Sequence, residues 1–140
     1  MKGAKAQVAF EYMLVVIVAL AFMLPVWVYI TTVKTETSNE LMLSYAKNAV
    51  DKIASTADLV YSQGSPARVQ VSVYIPDGVE SYEIINYTIN MVLQYGNTYT
   101  DVFAVSRARM NGTLPTAEGN YWMKIEAVDN EDYDIFIQAV

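Results

Sequence analysis

From Tyr12 to Val33 the chain carries no charged residue. A helix over that run is long enough to cross a bilayer's hydrocarbon core, which takes about 20 apolar residues. Lys2 and Lys5 precede it, and the next cation is Lys34. Glu11 stands at its entrance, where an ordinary anchor avoids charge, because an ionisable group in lipid is costly and usually functional. The basic flank places Lys2 and Lys5 in the cytoplasm and the remainder of the chain outside. A cleaved secretory signal has an apolar region of about 7–15 residues followed by a small-residue site. This run is longer, and Pro25-Val26-Trp27-Val28-Tyr29 offers no small-x-small sequence.

The order Lys2, Lys5, Ala6, Gln7, Glu11, then an unbroken apolar helix, resembles the class III signal peptide of type IV pilins, especially archaeal pilin-like proteins. In that family a short basic leader precedes Gln at mature position one and Glu at position five. Taking Gln7 as the first mature residue puts Glu11 fifth, with Ala6 the small residue before the cut, where Gly is common, and Ala9 two residues after Gln7. Phe10-Glu11-Tyr12 is also similar to the Glu-Tyr pair of tight-adherence pilins, whose chains are much shorter. The resemblance covers residues 2–30. It implies cleavage between Ala6 and Gln7 by a prepilin-type peptidase, and assembly into a filament through the N-terminal helices. In bacterial relatives the freed amine and this Glu meet between adjacent subunits and set their axial register. By distance along the chain, the new Gln7 amine is the nearest cation to Glu11, since Lys34 lies about 34 Å farther along a helix. Glu11 at headgroup level as a recognition residue for the peptidase, or protonated in an assembled core, are alternatives.

Composition narrows the chemistry. There is no Cys and no His, so disulfides, thiolate metal sites and the commonest general base are excluded. No phosphate-binding glycine loop occurs, and no catalytic residue or cofactor site is expected. The net charge is −6; removing Lys2 and Lys5 leaves seven Lys and Arg against fifteen Asp and Glu, or −8. Nucleic-acid binding needs a basic face, so it is not expected of this domain.

Along the chain, the first helix is predicted from Val8 into the thirties, with a kink or melted turn at Pro25. Thr37-Ser38-Asn39-Glu40 matches a capping box that would start a second helix; one long, kinked helix is the preferred expectation. Met42, Ala46, Ala49, Ile53, Ala57 and Val60 form an apolar stripe at helical spacing, with Lys47, Asp51, Ser55 and Asp58 off it. A helix from Val8 to Tyr61 is roughly 80 Å long, so its second half packs on a small head and its first half needs lipid or other subunits. Gln63-Gly64-Ser65-Pro66 ends it.

Period two then takes over. Val69, Val71, Val73 and Ile75 alternate with polar residues; strands are expected at Tyr82–Ile85, Tyr87–Tyr95, Tyr99–Met110, around Tyr121–Ala127, and at Tyr133–Ile137. Asn111-Gly112 reads as a turn. The fold class is α+β: a long N-terminal helix followed by an antiparallel β-sandwich head. Its parts are a leader (1–6), a transmembrane or filament-core helix (7–34), an amphipathic helix (35–63) and the sandwich (64–140).

Three surface features invite other readings. The carboxylates of Asp129-Asn130-Glu131-Asp132-Tyr133-Asp134 could gather oxygens for calcium, or form a solvated hairpin turn. Asn86-Tyr87-Thr88 and Asn111-Gly112-Thr113 are N-glycosylation acceptors by sequence, and Asn111, in its expected turn, is the better placed. Tyr87, Tyr95, Tyr99 and Trp122 could make an adhesive outer face, or pack in the core or between subunits. The expected product is a structural subunit of a cell-surface filament, held in the cytoplasmic membrane as a precursor and extracellular after assembly. A minor or accessory subunit of a pilus, archaellum or secretion filament, and a surface binding protein that stays anchored, are the alternatives.

Overall fold

A computed structural model describes residues 2–140, with side chains from Gln7 onward. The order of elements is one helix and seven strands. These are α1 (Lys2–Gln63), β1 (Arg68–Ile75), β2 (Val79–Ile85), β3 (Thr88–Tyr95), β4 (Thr98–Val105), β5 (Met110–Gly112), β6 (Gly119–Ala127) and β7 (Ile135–Ala139). The residues fall into two compact units, residues 1–38 and residues 39–140.

In the first unit the helix persists through Pro25. The turn is not melted, although the Ala21 carbonyl loses the donor that a non-proline residue would supply. It also persists through the threonines. Thr31 and Thr32 donate their hydroxyls to the Val28 carbonyl at 2.8 and 3.0 Å, and Thr35 donates to Thr31 O at 3.0 Å. The hydroxyls thus bond back into the helix instead of opening it. The capping-box alternative is not realised: residues 37–40 are helical.

In the second unit, helix residues 39–63 carry the expected stripe. Ala46, Ala49, Ile53, Ala57 and Val60 are buried, Val50 and Ala54 join them, and Met42 is partly buried against the same core. Ala fills four of these buried positions. The end is a glycine cap. Gly64 has φ +72° and donates its N–H to Val60 O and Tyr61 O, each at 3.1 Å. A Cβ there would meet nothing within 4 Å, so the residue is set by backbone conformation alone.

The strands form two sheets, β1-β6-β7-β5 and β2-β3-β4. Their inner faces supply Val73, Ile75, Met123, Ile125, Ile135 and Ile137 from one sheet, and Ile89, Met91, Leu93 and Val102 from the other. These join the helix stripe in a single core. On one side of the sandwich the sheets meet where β2 lies beside β5, and the Met110 N–H donates to Asn86 O. On the other side the helix lies between the two remaining edge strands. Lys47 donates to the Phe103 carbonyl of β4 at 2.8 Å, and Lys52 to the Ser72 carbonyl of β1 at 2.8 Å. Asp58 adds a third tie, accepting from Ser106 Oγ and Arg107 N at 2.7 Å each. Two open sheet edges, each otherwise a template for further pairing, are covered by one helix.

The sheet is not wholly antiparallel. Asn111-Gly112, expected as a turn, lies in β5, which pairs parallel with β7, Asn111 opposite Phe136 and Gly112 opposite Ile137. Gly112 has φ +148°, and a Cβ on it would stand 1.9 Å from the Ile137 carbonyl oxygen. The glycine serves close strand approach rather than chain reversal. The single strand expected over Tyr99–Met110 is divided: β4 ends at Val105 and residues 106–109 form the connection to β5.

Candidate functional site: the N-terminal helix

Tyr12 to Ile30 lies on a helix that is apolar all round. Side chains on every face are open in the single chain: Phe10 is 65% exposed, Leu20 56% and Trp27 72%. A helix hydrophobic on all sides belongs in lipid or inside an assembly, since no single face can satisfy it. It is long and apolar enough to cross a membrane.

At its start, Gln7 Nε2 donates to Glu11 Oε1 at 3.5 Å, one turn away. The i,i+4 spacing alone produces this pair. Ala6, the other half of the expected cut, lies outside the residues whose side chains are described. So do Lys2 and Lys5. Pro25 lies within the helix, flanked by the exposed Leu24 and Val26.

The other candidates are distributed over the second unit. The acidic run 129–134 is organised by an arginine. Arg109 holds Asp134 through both carboxylate oxygens, Nη2 to Oδ1 at 3.0 Å and Nε to Oδ2 at 3.2 Å, and donates Nη1 to Glu131 O at 2.7 Å. Its backbone N–H adds a bond to Asp134 Oδ2 at 3.0 Å. The guanidinium beside Asp134 holds that carboxyl below its ordinary value, and Asp134 raises Arg109 in turn. Among the described residues no group of three or more acidic side chains is placed to hold a metal ion. Sequence reading missed Arg109 because its partner is a long-range one, reached only once β5 lies beside β7.

The aromatic residues do not share one face. Tyr95 and Tyr99 flank the β3–β4 turn, where Asn39 donates to the Tyr95 hydroxyl. Tyr87 is at the opposite end of the small sheet, and Trp122 is on the other sheet. All four are exposed. Tyr74 donates its hydroxyl to Glu118 Oε1 at 2.7 Å, which raises the phenol above its usual value. Both potential glycan acceptors, Asn86 and Asn111, are exposed.

Compared with models of known protein families, with curated proteins and with solved structures, the chain matches none.

Proposed function

We propose that this chain is the precursor of a structural subunit of a type IV pilus-like surface filament. One observation carries the reading: an apolar helix open on every side, with the Gln7–Glu11 pair at its start. The same surface fits lipid before assembly and neighbouring helices after it. Helix association within a membrane rests on packing and polar contacts rather than on water exclusion, so exchanging lipid for protein is energetically mild. Cleavage before Gln7 would remove Lys2 and Lys5, whose charges resist extraction, and leave an amine near Glu11. A carboxylate buried among Phe10, Tyr12, Met13 and Leu14 then gains a partner, without which it would be strongly destabilising. The resemblance of residues 2–30 to pilin leaders points the same way.

N-terminal sequencing of the protein made with its own peptidase tests this. Loss of the first six residues is expected, with the β-rich head outside the membrane. An intact Met1, or a start beyond Val33, would overturn it. Glu11→Gln keeps shape and removes charge; a processed subunit that stays in the membrane is expected. Normal filaments would refute the assembly role, and failed processing would make Glu11 a recognition residue for the peptidase.

A further inference from the structure

The small sheet turns Ile89, Met91 and Leu93 to the core and a different set outward. On that outer face Glu83 stands opposite Asn90, and Asn90 opposite Phe103, with Asp101 two residues before Phe103 on β4. Together with Ile85 and Tyr87 they line an open depression of about 680 Å³. Asn90 Oδ1 is buried there without a hydrogen-bond donor. Phe103 is 60% exposed and Ile85 is exposed. The depression therefore presents two carboxylates, an unpaired amide oxygen and an uncovered aromatic ring. Its complement carries several hydroxyl or amide donors and an apolar face, and a sugar ring has both.

A sugar can be delivered to this rim covalently. Asn86 of Asn86-Tyr87-Thr88 borders the depression, at the first of the two residues that turn β2 into β3. It is exposed, and its φ of +50° is one that Asn tolerates. The turn is pinned at both residues: Met110 N–H donates to Asn86 O, and Ser106 N–H to Tyr87 O. The backbone is held and the side-chain amide stays at the surface. Asn111 differs. It sits within the β5–β7 ladder, its Oδ1 accepts from Gly112 N at 2.7 Å, and Thr113 N–H is bonded to Ile137 O.

We propose that Asn86, and not Asn111, is N-glycosylated, and that the first sugar lies in the depression walled by Glu83, Asn90, Asp101 and Phe103. A bond forms between Asn86 Nδ2 and the anomeric carbon of a lipid-phosphate-linked oligosaccharide. The anomeric C–O bond to phosphate breaks, the lipid phosphate leaves with the electron pair, and the amide proton passes to a base of the membrane glycosyltransferase. No oxidation or reduction is involved. The inference rests on the head facing out of the cell.

The test uses the full chain from cells that make it. Surface labelling of intact cells is read beside peptide mass spectrometry. A mass increment on the peptide bearing Asn86 is expected, absent in Asn86→Gln and in Thr88→Ala and retained in Asn111→Gln. A labelled, exported head with Asn86 unmodified, or with the sugar on Asn111, overturns this inference and leaves the outward-facing head intact. An unlabelled head overturns both. For the seat, glycoamidase release from the native protein is expected to be several-fold faster in Phe103→Ala and in Asn90→Ala. Release at the parent rate in both variants overturns the seat.

Discussion

Residues 7–38 and residues 39–63 belong to one helix, yet they solve opposite problems. The second stretch buries Ala46, Val50, Ile53, Ala57 and Val60 at near-zero exposure against the strands of the same chain. The first leaves Leu14, Phe22, Trp27 and Ile30 exposed on every face. The difference is one of distribution. A stripe of apolar residues with Lys47, Asp51 and Asp58 off it fits one sheet pair, whereas an apolar surface without a polar face cannot be finished by any fold this chain makes. Helical propensity is common to both, and the partner is not.

The largest break in that comparison comes from cutting the helix. A version beginning near Thr35 is expected to be soluble, folded and monomeric, with mixed helix and strand signal by circular dichroism. One beginning at Gly64 is expected to be insoluble or unfolded, because the core loses its helix face and the β1 and β4 edges are uncovered. A folded, monomeric protein from Gly64 onward would show the helix to be dispensable. Next in size is Gly112→Ala. The added Cβ meets the Ile137 carbonyl at 1.9 Å, so β5 must separate from β7, at roughly 3 kcal/mol or more of stability. Denaturant titration of the version from Thr35 measures it, and a loss under about 1 kcal/mol would contradict the close approach.

Matched truncations sharpen the contrast between the two stretches. Ile53→Ala is expected to cost about 2–5 kcal/mol of head stability. Leu20→Ala should leave head unfolding unchanged and weaken only what the full-length helix packs against. An equal loss for both would erase the distinction. A smaller effect belongs to Asp134→Asn. Arg109 holds the Asp134 carboxyl below its ordinary value, so its contribution is present above the unfolded carboxylate range and is lost as pH falls through the lowered value. The variant should melt a few degrees below the parent at neutral pH, with the gap closing in acid. A gap that widens in acid would reverse the assignment. The smallest is Lys52→Met, expected to change stability by about 1 kcal/mol or less while raising the aggregation rate through the freed β1 edge.

Local pattern carried most of the architecture into view. The helix stripe is legible because 3.6-residue spacing needs no knowledge of the partner, and β1 and β6 are legible because Val69–Ile75 and Tyr121–Ala127 alternate. Asn111-Gly112 misleads for a physical reason. The dipeptide marks a backbone tolerant of positive φ, which a hairpin uses for reversal and β5 uses to bring its chain against Ile137. The roles of Lys47, Lys52 and Arg109 are hidden since each reaches a backbone carbonyl or carboxylate far away in sequence. At the N-terminus the reverse holds: Gln7 and Glu11 meet by spacing alone, and that contact is legible without any fold.

The threonines after Tyr29 have a further consequence. Thr31, Thr32 and Thr35 are polar by composition, but their hydroxyls donate to carbonyls of their own helix. These three hydroxyls have no donor waiting for water, which lowers the cost of placing them against lipid or a neighbouring helix, their acceptor lone pairs remaining. These donors stay satisfied by the same helix in any surroundings, so the polarity that sets the segment apart from the apolar run before it rests on Lys34 and Glu36 more than on the threonines.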